Sequence, residues 1–364
     1  MSRNWPSWLP IRSDLASLSP YGAPQIDVGV RLNTNENPYS LSASLQSALS
    51  EAIASELSEL NRYPDRDAVK LRTELANSIS RETGFTLDAN WIWAANGSNE
   101  IIQSIILAFD GAALGFEPSY SMHPLITKVV GKKWLSISRT ENYEITESEI
   151  DSAIATTEAK IIFITTPNNP TGTSTEISLL KRLAEGLKAR GALLVVDEAY
   201  AEFSTKPSAI TLFADYPNIL VSRTMSKAFA FAGARLGYLI ANPGVIEAIQ
   251  LVRLPYHLSS LTQAAGRAAL ANQISLQVDV KKLSKARDEV AKELIGLGLT
   301  PFTSDANFIL FGGFKNNPQQ LWKELLDKGV LIRDVGLPGK LRVTIGTDEE
   351  NRAFLTALRE IVRG

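Results

Sequence analysis

Four short segments carry residue types that could do chemistry, and they follow one another along the chain. Asn96-Gly97-Ser98-Asn99-Glu100 leads directly into the apolar run at 101–106. A helix start offers free N–H groups and the positive end of the helix dipole, which suits a phosphate. Read locally, the same residues are a Ser N-cap. Pro167-Asn168-Asn169-Pro170-Thr171-Gly172 follows a short apolar run. It reads as a turn by its own chemistry, and it would set Asn amides at the edge of a sheet. Val195-Val196-Asp197-Glu198-Ala199-Tyr200 places an acid at the end of another apolar run. A carboxylate there is costly without a partner. A cationic ring nitrogen would be one, and a strand-to-helix turn capped by Asp is the local alternative. The last segment, Ser222-Arg223-Thr224-Met225-Ser226-Lys227-Ala228-Phe229, precedes Gly233-Ala234-Arg235-Leu236-Gly237. A lone Lys is ordinarily a solvated surface residue. Residues 228–232, alternating Ala and Phe, offer Lys227 no such solvated face.

Composition removes several rival chemistries. The chain has 364 residues, no cysteine and two histidines, His123 and His257. Disulfides, thiolate nucleophiles and Cys-ligated zinc are excluded, a His-rich metal centre is impossible, and no metal is expected. Each His lies in an apolar, Pro-flanked segment and reads as a packed structural residue. Lys and Arg number 37 against 39 Asp and Glu. That near balance supplies no electrostatic reason for a nucleic acid or anionic membrane partner. The first ten residues hold two prolines and no apolar run of signal-peptide length. No stretch approaches the roughly 20 apolar residues of a membrane span, so the expected location is the cytoplasm. No Gly-x-Gly-x-x-Gly follows a strand, which disfavours a nicotinamide dehydrogenase.

The elements that must hold these segments are legible in outline. Leu45, Leu49, Ile53 and Leu57 recur at helical spacing across 42–59, and a second helical pattern covers 69–79. Short apolar runs at 112–116, 160–165, 192–196 and 219–222 read as buried strands. A helix at 175–190, opening on Ser or Thr and ending before Gly191, lies between two of them. Such alternation predicts an α/β fold with a mainly parallel sheet flanked by helices, and ligands gather at the carboxyl ends of such strands. Helices at 263–271 and 276–297 lead to a smaller α/β unit, with strands at 308–311 and 341–345 and helices at 318–328 and 348–362. The expected division is an N-terminal arm, 1–40, joining the small domain; a large cofactor-binding domain, 41–280; and a small C-terminal domain, 281–364.

Taken together, the ordered segments resemble those of pyridoxal-phosphate-dependent aminotransferases with the aspartate-aminotransferase-like fold. The chain is most similar to their histidinol-phosphate aminotransferase branch, in its actinobacterial form. Supporting segments include Arg31-Leu32-Asn33-Thr34-Asn35-Glu36-Asn37-Pro38, Arg62-Tyr63-Pro64-Asp65, Pro118-Ser119-Tyr120, Arg253-Leu254-Pro255-Tyr256-His257 and Leu331-Ile332-Arg333-Asp334. The resemblance implies pyridoxal 5′-phosphate held by Lys227 as a Schiff base, with Lys227 also the proton shuttle. It implies Asp197 on the pyridine nitrogen, Asn169 and Tyr200 on the phenolic oxygen, and Tyr120 stacked on the ring. Ser98, Asn99, Thr224, Ser226 and Arg235 would hold the phosphate, with Tyr63 reaching in from a neighbouring subunit of a homodimer. Tyr21, Asn35, Arg333 and Arg342 would bind substrate. A surface ion pair with Asp334 is the local alternative for Arg333.

The implied reaction moves an amino group between L-glutamate and imidazole acetol phosphate, a step of histidine biosynthesis. An aromatic amino-acid aminotransferase, a decarboxylase on the same scaffold and a non-catalytic binding module are the alternatives. Two positions depart from the branch. Asn99 stands where many relatives have Asp, and Val335 follows Asp334 where some carry a second basic residue.

Overall fold

Short apolar runs separated by helical segments pack as a layered α/β molecule. The computed structural model describes residues 5–315 and 317–363; residues 1–4 of the expected N-terminal arm lie outside them. The arm is coil and turns as far as β1 (Val30–Arg31). Next come α1 (Ala43–Glu56), α2 (Val69–Thr83), β2 (Ile92–Ala95), α3 (Ser98–Ala108), β3 (Ala112–Glu117), α4 (Met122–Val130) and β4 (Trp134–Ser138). The chain continues through α5 (Glu147–Ala155), β5 (Ala159–Thr165), α6 (Ile177–Ala189), β6 (Leu193–Asp197), β7 (Ile219–Thr224) and β8 (Gly237–Ala241). Three helices follow, α7 (Pro243–Gln250), α8 (Ser260–Ala271) and α9 (Gln273–Gly296). The C-terminal part holds β9 (Thr300–Pro301), β10 (Phe308–Gly312), α10 (Pro318–Asp327), β11 (Val330–Leu331), β12 (Leu341–Thr344) and α11 (Asp348–Arg363).

Seven strands form the main sheet in the order β2-β8-β7-β6-β5-β3-β4. The run from β7 to β4 is parallel throughout, and β8 alone is antiparallel to both its neighbours. Side chains on the central strands alternate between two cores. Ile162, Ile164, Leu194 and Val196 face one; Ile161, Phe163 and Val195 face the other. Burial on both faces is why these strands read as continuous apolar runs. Each fully buried Ile or Phe contributes roughly 1.5–3 kcal/mol, enough to fix the register on which the site depends. A third core surrounds β10 and β12 and takes in Leu32 from the arm. The arm is fastened there because β1 pairs in parallel with β11.

Helix α9 passes from the first core to the third: Leu276 belongs to the one and Val280 to the other. The helix expected at 276–297 therefore starts three residues earlier. The helix expected at 175–190 spans Ile177–Ala189, and its cap is Glu176 rather than Ser or Thr. Thr175 is spent elsewhere: it is buried, and its N–H donates to Thr166 Oγ1 at 2.9 Å.

Candidate active site

Five segments meet at the carboxyl ends of the parallel strands: the start of α3 and the residues that end or follow β3, β5, β6 and β7. They enclose a pocket of about 270 Å³. Ser98, Asn99, Tyr120, Asn169, Asp197, Tyr200, Thr224, Ser226, Lys227 and Arg235 all line it. Tyr21 and Asn35 reach it from the arm, and Arg333 and Arg342 from the C-terminal part. Tyr63 alone among the expected site residues lies elsewhere. It is 79% exposed and stacks on Tyr256 with centroids 4.3 Å apart.

One end of the pocket is built for an oxyanion. Gly97, not Ser98, is the N-cap of α3, at φ +79°, and among the described residues no side chain caps that helix. Thr224 Oγ1 donates to Ser226 Oγ at 2.9 Å, and Arg235 Nη1 lies 3.5 Å from the same hydroxyl. Among the described residues no carboxylate pairs with Arg235. The cradle leaves no space for larger residues. A Cβ at Gly97 would meet Arg235 Nη2 at 2.6 Å, and one at Gly237 would meet Gly97 C and Ser98 N at 2.7 Å. Helix-start amides, a hydroxyl pair and an unpaired guanidinium together suit a phosphate.

The pocket also carries a buried acid. Asp197 ends β6 and is 2% exposed. Its Oδ1 accepts from Ala199 N at 3.3 Å, so it does close the local turn. Its Oδ2 lies 3.1 Å from His123 Nε2. His123 is itself buried and stacks on Phe163 at 4.6 Å. The packed reading of His123 thus holds, but it missed the contact with Asp197. His123 sits 74 residues away, and its only sequence signal was its place three residues after Tyr120. Tyr120 donates to Asn99 Oδ1 at 3.1 Å, a bond that an Asp at 99 would also accept.

Lys227 lines the same pocket. It is half-buried, and its Nζ donates to Thr34 O at 3.0 Å. Desolvation, then the charges of Arg342 and Arg235, pull its amine down to about 8, so a useful fraction is neutral near pH 7. Burial pushes the Tyr200 phenol up to about 12, against opposing effects from Arg342 and from Asn35. Tyr200 accepts from Asn35 Nδ2 at 2.8 Å. The two asparagines of the turn divide their work. Asn168 is fully buried and staples the turn through Pro118 O, Thr171 and Ser119. Asn169 faces the pocket, where its Oδ1 accepts from Arg342.

Arg333 and Arg342 sit opposite each other on a backbone bridge, with N–H···O bonds of 2.9 Å in both directions. Among the described residues Arg333 makes no ion pair with Asp334, whose carboxylate instead accepts from Gly336 N at 2.8 Å. Arg342 donates to Asn33 O at 2.9 Å. Among the described residues Arg333 Nη1 and Arg342 Nε are buried with no hydrogen-bond partner. Buried guanidinium nitrogens without partners are costly, and an oxyanion in the pocket would satisfy them.

A family model for aminotransferase class I and II matches residues 27–358. The chain belongs to the class I and II aminotransferases. Among its relatives are the histidinol-phosphate aminotransferases of Mycolicibacterium smegmatis and Mycobacterium avium. The first is 52% identical over 97% of this chain and 93% of its own, the second 50% over 97% and 89%. The structure of histidinol-phosphate aminotransferase from Sinorhizobium meliloti, in complex with pyridoxal-5′-phosphate, has the same fold. It superposes with a TM-score of 0.85 at 23% identity, covering 98% of this aminotransferase and 99% of that one. Pyridoxal 5′-phosphate is the cofactor of this class, and the residues present fit it. The oxyanion cradle matches its phosphate, buried Asp197 its basic ring nitrogen, and the lowered amine of Lys227 its aldehyde.

Proposed function

We propose that this chain is a histidinol-phosphate aminotransferase, catalysing L-histidinol phosphate + 2-oxoglutarate = imidazole acetol phosphate + L-glutamate in histidine biosynthesis. The observation that carries the substrate is the arginine pair. Arg333 and Arg342 bring unpartnered, buried guanidinium nitrogens into the pocket that holds Lys227. Guanidinium recognises planar carboxylates and tetrahedral phosphates alike, so one pair can serve glutamate and histidinol phosphate in turn.

The placement of the site residues supports the following roles. Ser98, Asn99, Thr224, Ser226 and Arg235 hold the cofactor phosphate. Asp197, kept in place by His123, holds the ring nitrogen in its protonated form. Asn169 and Tyr200 donate to the phenolic oxygen, and Tyr120 lies against the ring. When bound, the cofactor supplies an aldehyde that accepts amines and a ring that accepts electrons. Lys227 Nζ fastens it and carries the proton taken from the substrate α-carbon. Tyr21 and Asn35 complete the substrate pocket.

Tyr63 serves the site of a second subunit in a homodimer. Tyr63 stacks on Tyr256, and Leu57, Leu60, Leu251 and Leu254, a few residues before them in the sequence, are exposed as well, the last two 86% and 73%. Exposed apolar side chains of this kind support an interface. We read residues 41–280 as the cofactor-binding domain and 281–364 with the arm as the small domain. The enzyme works in the cytoplasm; no helix among the described residues is long and apolar enough to cross a membrane.

Replacing Arg333 tests the substrate assignment. Arg333→Gln should raise KM for histidinol phosphate and for 2-oxoglutarate together, by about 10- to 100-fold, the worth of a charged hydrogen bond. A rise for neither substrate would remove the arginine pair from recognition.

A further inference from the structure

A second cavity, of about 440 Å³, lies behind the site. Ala199, Tyr200, Ser226 and Lys227 line the active-site pocket, while Ala201, Glu202, Ala228 and Phe229 line this one. The same two loops therefore wall both. The cavity sits where α9 leaves one core for the other, between Leu276 and Val280. Its volume is in the range of small-molecule sites, roughly 300–1,000 Å³.

Its polar side is acidic and incompletely paired. Arg223 is 1% exposed and donates to Glu198 Oε2 at 2.9 Å and to Glu82 at 2.8 Å. Two carboxylates therefore share one guanidinium. Glu202 adds a third, and its Oε2 is buried with no hydrogen-bond partner among the described residues. Lys206 is engaged with Glu176 at 2.6 Å, and Lys281 is exposed. When Glu202 is ionised, three carboxylates stand against Arg223 and Lys281. Facing them are the apolar side chains of Leu75, Ile79, Phe229 and Leu276.

We propose that this cavity binds a small protonated amine with an apolar body, its N–H donated to Glu202 and its carbon skeleton against Leu75, Ile79 and Leu276. Burial pushes the Glu202 carboxyl up to about 7. Arg223 offsets an ionised carboxylate there only in part, being shared with Glu198 and Glu82, and a cationic donor adds to that compensation.

The test is calorimetric titration of the cofactor-loaded enzyme with N,N-dimethylbenzylamine, a tertiary amine that cannot condense with an aldehyde. The titration is repeated with saturating 2-oxoglutarate. One site per chain is expected, insensitive to 2-oxoglutarate. Glu202→Gln should weaken binding by about tenfold or more, as expected for a charge-assisted bond. Gln277→Trp, at an exposed position on the lining, should block entry without disturbing the core. Both variants should turn over as the parent does. Absence of binding, displacement by 2-oxoglutarate, or an affinity unchanged from the parent in either variant would each overturn the proposal. None of these outcomes bears on the transamination reading, which rests on the other cavity.

Discussion

Lys227 must be neutral to attack an aldehyde, and its surroundings make that possible well below the usual lysine range. Burial comes first, with Arg342 and Arg235 adding like charge. The pH dependence follows directly. Reconstitution of the cofactor-free protein should accelerate by about tenfold per pH unit below about pH 8, then level off, because the amine titrates near 8 rather than near 10.5. The visible band of the bound cofactor reports the rate. In Lys227→Ala the band should never form, and turnover should fall by about 10²- to 10⁴-fold or more; normal turnover would remove Lys227 from the chemistry. At this scale the sequence was readable wherever the chemistry is local. Ser98, Asn169, Asp197 and Lys227 each lie in a short segment whose neighbours announce it. Asp197's support was not readable, since His123 lies 74 residues away and only folding joins them. Likewise Arg223, Glu82 and Glu198 form one buried cluster although Glu82 and Arg223 are separated by 141 residues.

The parallel strands of the main sheet were legible in proportion to how continuously they are buried. Strand β5 has six of its seven residues buried and declares itself. Strand β4 alternates in exposure at the sheet edge and was not foreseen. Strand β8 was missed although Gly237–Ala241 is wholly buried, because it follows a motif already read as a loop. Its antiparallel course places Gly237 against the start of α3. There a Cβ would stand 2.7 Å from backbone atoms, which cannot rotate aside. Gly237→Ala should therefore cost about 1–3 kcal/mol of stability in denaturant unfolding. It should also loosen the cofactor, measured as faster loss of the visible band on dialysis. Unchanged stability and retention would show that α3 and β8 do not jointly shape the cradle.

On the scale of the whole molecule, one chain encloses a pocket that contains every expected site residue except Tyr63. The proposed sharing of sites between two subunits has a distinctive consequence. Mixing Lys227→Ala with Tyr63→Ala protein under exchange should restore about a quarter of the parent's sites, because half the dimers are mixed and each holds one intact site. A mixture no more active than its components would place Tyr63 outside its partner's site. The central claim concerns which amine this aminotransferase takes. Its most direct test is steady-state turnover of the cofactor-loaded enzyme with 2-oxoglutarate, comparing histidinol phosphate with phenylalanine as donor. The arginine pair predicts a kcat/KM higher for histidinol phosphate by about 10²-fold or more, the worth of two or more charged hydrogen bonds to phosphate. A preference for phenylalanine would contradict that assignment, leaving the fold and the Lys227 chemistry to an aromatic amino-acid aminotransferase.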